Sequence, residues 1–290
     1  MQAYQRLLLN ISRAILSGRP AVPVVAPSMG WGPQHATPLC QGADSFACDK
    51  ANMHSYPGGG PPINGLFDNI NKNAYVVADR SRRIFATETG YHTATRQWPV
   101  VEQLGVDEET QGKYTSRLLL LYFAVGIERT FLYELLDQYP DANRSSPESD
   151  YGLIRNDWSY KPAAHSVKNL IALLAEPGQT DFAPPDLEAD FDAETLPAFF
   201  NATTFGHTDG SFFVTFWLEA TSYDIKTQTP IVVPPANATL RFSRAPAFAR
   251  GELYRLSASA TQPVTVFLPL PDAVTLPAID EVCVLRLVPA

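Results

Sequence analysis

The sequence of 290 residues has no long apolar run, no basic stripe and few cysteines. No window approaches the roughly 18 continuous apolar residues that span a bilayer, so we expect no membrane partner. The net charge is −8 at pH 7, and lysine and arginine are scattered. This balance disfavours contact with a phosphate backbone and predicts no nucleic-acid partner. What is left is a globular chain, 45% apolar and long enough for two domains.

Several enzyme motifs are also missing. The chain has no G-x-S-x-G motif, no Walker loop and no G-x-G-x-x-G turn after a strand. Its five histidines are dispersed without an H-E-x-x-H motif, and no cysteine pair has zinc-binding spacing. We therefore predict no cofactor and no metal. Carboxylate chemistry is the catalytic chemistry that these absences leave open.

The cysteines and the glycosylation sequons bear on the compartment. Cys40 and Cys48 lie in one loop and are candidates for a disulfide, with two reduced thiols as the alternative. The opening segment has the spacing of an amphipathic helix, which differs from that of a signal peptide. Asn-X-Ser/Thr sequons occur at Asn10, Asn143, Asn201 and Asn237. The sequence therefore favours a secreted or extracytoplasmic protein.

The first part of the chain alternates helices with short apolar strands. Helical spacing is found in the segment that ends at Gly18 and in residues 63–81, 106–126 and 163–176. Strands are predicted at residues 21–28, 48–56, 82–88 and 128–137. Such alternation implies a parallel sheet with crossover helices, an α/β fold.

The pattern changes after a Pro-rich linker at residues 177–186. Five later segments alternate or run apolar between turn residues: 210–224, 237–245, 252–259, 263–271 and 281–289. This pattern is typical of an antiparallel β-sandwich. We therefore predict two domains, an α/β domain at residues 1–176 and an all-β domain at residues 187–290.

Residues with catalytic chemistry fall at the predicted strand ends. The loops that follow parallel strands converge at one edge of the sheet. The second strand ends near His54 and Tyr56, the third at Glu88 and the fourth near Tyr133 and Glu134. Histidine and tyrosine donors keep a carboxylate ionised and oriented, which suits nucleophilic attack on an acetal carbon.

Each of these residues also has a purely structural interpretation. Glu88 would cap a helix or form a salt bridge, and His54 would be a satisfied structural histidine. The tyrosines would form the edge of a core. Trp158, in a polar loop, would either stack on a sugar or pack against its own loop.

The order of the motifs resembles a known superfamily. "NMHSYPGG", "IFATETGYHTA", "RLLLLYFAVGIERTFLYELLDQ" and "YGLIRNDWSYKPAAHSVKNLIALL" are similar to the second half of a (β/α)8 (TIM) barrel in the retaining glycoside hydrolases of clan GH-A. The resemblance implies that the four strands correspond to barrel strands five to eight. It implies that Glu88 is the nucleophile, that Tyr56 donates a hydrogen bond to it and that His54 lines the same subsite. Contacts with the sugar are expected from Tyr133, Glu134 and Trp158. An appended β-sandwich is common in this clan.

One feature departs from the clan. Its acid/base glutamate follows an asparagine at the end of strand four, and this sequence contains no Asn-Glu dipeptide. Retaining hydrolysis needs two carboxyl groups about 5–5.5 Å apart. The resemblance therefore implies an N-terminally truncated glycoside hydrolase, with oligosaccharide, polysaccharide or glycoside substrates and little activity alone.

Two other classes of protein stay open. The first is a non-catalytic carbohydrate-binding or structural protein that acts through the sandwich. The second is an obligate complex, in which a separate chain supplies the missing N-terminal half barrel.

Overall fold

The computed structural model describes residues 2–19, 22–28, 48–74, 84–96, 103–176, 178, 182–183, 185–243 and 248–290. The predicted loop that contains Cys40 and half of the predicted linker lie outside these ranges. Cys48 is a buried free thiol. None of the helices in the described ranges is long and apolar enough to cross a membrane.

The first part combines helices with a parallel sheet, as the alternation predicts. Its described helices are α1 (Gln2–Gly18), α2 (Leu66–Ala74), α3 (Glu108–Ala124) and α4 (Pro162–Leu174). Its described strands are β1 (Ala51–His54), β2 (Ile84–Thr89) and β3 (Ile127–Leu132). They lie in the order β1-β2-β3, so β2 has a parallel neighbour on each side.

Two predicted strands are shorter in the structure. Of the strand predicted at 21–28, the described residues 22–28 contribute one parallel bridge, between Val25 and Lys50, instead of a full strand. Pro23 and Pro27 explain this, because neither has a backbone N–H for a sheet ladder. The strand predicted at 128–137 ends at Leu132. Beyond it, Leu136 forms an isolated parallel bridge with Ile154.

The central strand β2 carries a bulge at its carboxyl end. Met53 pairs with Ala86, but the next residue, His54, pairs with Glu88. The register between β2 and β3 shifts over the same stretch. Thr87 is therefore an extra residue in β2, and it brings Glu88 alongside His54.

The long helix α3 begins with the signals seen in the sequence. The Asp107 side chain caps the helix by accepting a hydrogen bond from the backbone N of Thr110 at 2.7 Å. Glu108 and Glu109 occupy the first turn, where the helix dipole favours negative charge. At the start of α4, Pro162 fills a position whose N–H has no partner within the helix.

The second part consists of antiparallel sheets in the described residues. The strands are β4 (Ala189–Phe191), β5 (Phe200–Gly206), β6 (Phe212–Leu218), β7 (Tyr223–Asp224), β8 (Thr229–Pro230), β9 (Ala236–Phe242), β10 (Phe248–Arg255), β11 (Thr265–Phe267), β12 (Ala273–Ala278) and β13 (Cys283–Pro289). One sheet has the order β11-β10-β13-β6-β5, a second has the order β12-β9-β4, and β7 pairs with β8. Side chains of the two larger sheets share one buried apolar cluster.

A second apolar cluster crosses between the two parts. Tyr114 and Leu118 of α3 belong to it together with Phe213 and Trp217 of β6 and Val284 of β13. The change of pattern in the sequence thus separates two kinds of fold, while their buried side chains form a common core.

A buried ion pair joins α3 to the β part. Arg117 has no exposed surface, and its Nε donates to the carboxylate of Glu219 at 3.1 Å. Its other nitrogens donate to the carbonyl oxygens of Ala220 and Asp280. Nε1 of Trp217 donates to the same carboxylate at 2.7 Å. A buried guanidinium is tolerated only with such compensation.

We expect Arg117→Ala to lower the free energy of unfolding by about 3–5 kcal/mol, because it leaves Glu219 buried without its counter-charge. Urea denaturation measures the loss. Arg250→Ala is the control, since Arg250 is 44% exposed in its pair with Glu252, and exposed pairs contribute at most about 1 kcal/mol. Similar losses in the two variants would contradict the role given to the buried pair.

Candidate active site

The structure brings Glu88, Tyr56 and His54 together at the carboxyl end of the parallel sheet. The Tyr56 hydroxyl donates to Oε2 of Glu88 at 3.0 Å. Nδ1 of His54 lies 3.3 Å from the same oxygen. The Glu88 side chain is 41% exposed, so a ligand can reach the carboxylate. The predicted proximity of these three residues is therefore present, while their catalytic roles stay predictions.

A short chain of hydrogen bonds orients His54. Its Nε2 lies 3.0 Å from the hydroxyl oxygen of Thr87, and that hydroxyl donates to Oδ1 of Asn52 at 2.7 Å. The threonine oxygen is thus left to accept, which assigns a proton to Nε2 of His54. The backbone N of His54 donates to Oγ of Ser28 at 2.8 Å. These bonds turn the other ring nitrogen towards Glu88.

Three tyrosines, which we call the tyrosine cluster, form an aromatic wall beside Glu88: Tyr56, Tyr133 and Tyr151. The buried Tyr151 is central, with edge-to-face contacts to Tyr56 at 5.6 Å and to Tyr133 at 5.2 Å between ring centroids. The ring of His92 packs against Tyr151 with 5.0 Å between the ring centroids, and the Tyr151 hydroxyl donates to Oε1 of Gln103 at 2.8 Å. Such ring pairs contribute about 0.5–1.5 kcal/mol each.

Burial sets the protonation of this wall. Burial raises the pKa of Tyr56, and the charge of Glu88 raises it further. Burial likewise raises the pKa of Tyr151. Both phenols therefore stay protonated at neutral pH. Burial lowers the pKa of His92 to about 4, although its hydrogen bond to the Gln103 carbonyl acts in the opposite direction. His92 is thus a neutral support for the tyrosine cluster.

Two further carboxylates lie at the far side of the tyrosine cluster. The Tyr133 hydroxyl donates to Oε2 of Glu148 at 3.3 Å. Nε2 of Gln138 donates to the Tyr133 oxygen at 3.0 Å and to Oε2 of Glu134 at 3.2 Å. Burial raises the pKa of Glu134, and the charges of Asp137 and Glu148 add to this shift. Tyr133 and Glu134 thus border the site, one aromatic layer away from Glu88.

No group of three or more histidine, cysteine, aspartate or glutamate side chains able to hold a metal ion is found in the part of the chain that the structure describes.

Trp158 is not brought into the cluster. Its side chain is 73% exposed, and its backbone adopts the left-handed region with φ of 69°. Its backbone N donates to the carbonyl oxygen of Arg155, which closes a turn. Within the described ranges it makes no ring contact or hydrogen bond with Glu88, His54 or the tyrosine cluster. Its predicted contact with a sugar stays a prediction.

Sequence reasoning did not find three residues of the site. Tyr151 and His92 both lie in segments that carry the family resemblance, but no strand-end argument reaches them. Glu148 lies in a short 3-10 helix, Pro147–Ser149, within a polar loop. A polar loop after a strand was the only signal that pointed to it.

Solved structures of glycoside hydrolases share this fold. A family 39 glycoside hydrolase from the gut symbiont Bacteroides cellulosilyticus WH2 superposes with a TM-score of 0.62 at 16% sequence identity, over 98% of this chain and 54% of that chain. A GH39 enzyme from Xanthomonas axonopodis pv. citri gives 0.56 at 15% identity, over 100% and 64%. CelM2, a bifunctional glucanase-xylanase from a metagenome library, gives 0.53 at 13% identity, over 99% and 59%. Family models and curated proteins give no sequence match.

The resemblance to clan GH-A glycoside hydrolases is thereby confirmed at the level of the fold. The chain spans between half and two thirds of the length of these structures. At 13–16% identity the likeness concerns the fold alone, so activity and substrate are matters for proposal.

The pKa of His92 predicts a pH dependence of stability. Its folded pKa of about 4 lies below the ordinary 6.5, so the unfolded chain binds the proton first as the pH falls. The His92 contribution is therefore complete above pH 6.5 and is lost towards pH 4, by an amount on the order of 3 kcal/mol.

We expect His92→Asn to flatten this loss, measured by urea denaturation between pH 7 and pH 4.5. Asp150 acts in the opposite direction, because burial raises its pKa to about 6. It is present in both proteins, so the difference between their pH profiles isolates His92. Parallel profiles would contradict a neutral buried imidazole.

Proposed function

We propose that the chain is a retaining glycoside hydrolase in which Glu88 is the nucleophile. The observation that carries the proposal is the geometry around one oxygen, Oε2 of Glu88, which both Tyr56 and His54 contact. A partly exposed carboxylate at the end of a central parallel strand, with a phenol donor and an imidazole ring beside one oxygen, is suited to covalent catalysis. The finer assignments belong to the same proposal: barrel strands five to eight, an appended β-sandwich, and secretion.

The hydrogen bonds divide the two oxygens of Glu88 by role. Oε2 accepts a hydrogen bond from Tyr56 and lies beside Nδ1 of His54, which leaves Oε1 to attack the anomeric carbon. Attack forms the bond between Oε1 and the sugar, and the aglycone leaves with the electron pair of the glycosidic bond. Water then hydrolyses the glycosyl ester and restores the carboxylate. A stable Tyr56 proton is needed throughout, and burial supplies that stability.

The second carboxyl group of the mechanism limits the expected rate. The contacts of Glu88 in the described residues come from a phenol and an imidazole, whereas retaining hydrolysis uses a carboxylic acid as the proton donor. We propose that this chain alone turns over natural glycosides slowly. It should act best on glycosides whose aglycone leaves without protonation.

One observation favours the alternative, carbohydrate binding by the β part. A cleft of about 500 Å³ lies beside β4 and β5 and is lined by Leu187, Asp190, Thr204 and Phe212, among others. A protein of this kind would bind sugar equally well with or without Glu88. It would also release no aglycone from an activated glycoside, which separates it from a hydrolase.

We expect a burst of dinitrophenolate when the chain is mixed with 2,4-dinitrophenyl glycosides, and we expect Glu88→Ala to abolish it. Sodium azide should restore release in this variant and give a glycosyl azide of inverted configuration, because azide fits the space of the missing carboxylate. Stopped-flow absorbance and NMR of the product measure the two effects. The control is Glu109→Ala, an exposed acid at the start of α3. A burst that survives in Glu88→Ala would refute the nucleophile.

We expect Tyr56→Phe to slow the burst by about 10- to 100-fold, because a hydrogen bond to a charged group contributes about 1.5–3 kcal/mol. The rate constant of the burst phase is the measurement. Tyr160→Phe is the matched control, since Tyr160 is exposed and lies in the loop before α4. Equal rates in the two variants would remove Tyr56 from the mechanism.

A further inference from the structure

Three carboxylates border the tyrosine cluster beside the Glu88 site, and phenol and amide groups donate to them. Glu88 lies at the Tyr56 end of the tyrosine cluster, and Glu148 accepts a hydrogen bond at its Tyr133 end. Glu134 joins the same end through the amide of Gln138. One oxygen of Glu134, Oε1, is buried without a hydrogen-bond partner. The side chains that donate to these carboxylates are phenols and an amide.

Three basic side chains in the described loops around the site are paired with other carboxylates. Lys161 is buried and donates to Asp137 at 2.8 Å. Arg144 and Arg155 both donate to Glu108. In the ranges that the structure describes, no lysine or arginine donates to Glu88, Glu134 or Glu148. No lysine or arginine of these ranges therefore offsets the negative charge directly, and His54, which is a cation only when both ring nitrogens carry a proton, already faces Glu88.

The pKa of Tyr151 reflects the carboxylates at both ends of the tyrosine cluster. Tyr151 lies between the other two rings of the tyrosine cluster. After burial, the charges of Glu148 and Glu88 are both among the causes that raise its pKa. A single hydroxyl in the middle of the wall therefore lies in the field of carboxylates at both ends.

We infer that the Glu88 site takes glycosides of neutral sugars and discriminates against uronates. The inference rests on the proposed function and names its substrate class. The hydroxyls of a neutral sugar donate to carboxylates and accept from the tyrosine hydroxyls. A uronate would bring a further negative charge towards three carboxylates that no lysine or arginine of the described ranges contacts, which is an effective means of excluding a ligand.

The test compares two ligands that differ only at C6, methyl β-D-glucopyranoside and methyl β-D-glucopyranosiduronate. Saturation-transfer NMR titrations of the whole chain measure both affinities. We expect the uronate to bind about tenfold more weakly or worse at low ionic strength. The gap should narrow as salt is added, because partly exposed charges are screened.

Two variants locate the effect. Glu148→Gln should reduce the discrimination by several-fold, because it removes one charge and keeps the shape of the side chain. Glu194→Gln makes the same change of net charge in an exposed turn after β4 and should leave the discrimination unchanged. Equal affinities, a preference for the uronate, binding of neither ligand, or equal effects of the two variants would overturn the inference.

A failure of the charge inference can be distinguished from a failure of the proposed function. A neutral preference together with a burst that survives Glu88→Ala would retain the charge inference and refute the nucleophile. Uronate preference together with azide rescue of Glu88→Ala would do the reverse.

Discussion

The buried charge of Arg117 is the constraint on which the arrangement of the two parts depends. A guanidinium without solvent needs a matched carboxylate and further acceptors, and Glu219 supplies that carboxylate from the end of β6. The same side chain accepts a hydrogen bond from the backbone N of Ile63 at 3.1 Å, in the segment that leads from Tyr56 to α2. One glutamate therefore holds both the helix behind the sheet and the loop beside the candidate site.

The alternation of apolar runs was sufficient to predict which residues meet. Parallel strands end at one edge, so strands that end near Tyr56 and at Glu88 must place these side chains close together. The finer geometry was not predictable. The bulge at Thr87 breaks the period of two on which strand assignment rests, and the pairing of His54 with Glu88 follows from that bulge. The sequence thus predicts that these residues lie at the same edge of the sheet. The contact between His54 and Glu88 depends on the bulge, which the sequence does not predict.

Other differences have equally specific causes. The prolines at 23 and 27 outweigh an apolar run, because a strand needs backbone N–H donors. Strand β12 was not predicted, because Pro277 suggests a turn. A proline is tolerated there since β12 lies at the edge of its sheet. Tyr151 and His92 support the site through ring contacts between segments that are distant in the chain. Local periodicity contains no information about such contacts.

The aromatic wall explains how several acids share one edge of a sheet. Like charges that converge destabilise one another, and desolvation adds to that cost. Tyr56 and Tyr133 each donate one hydrogen bond to a carboxylate, and partial burial keeps both phenols protonated. The buried ring of Tyr151 separates the Glu88 end from the Glu148 end and holds the other two rings by edge-to-face contacts. The rings that shape the site are thus also the groups that make its negative charge tolerable. A substitution that removed the hydroxyl of Tyr56 or Tyr133 would therefore alter the electrostatics of the site as well as its shape.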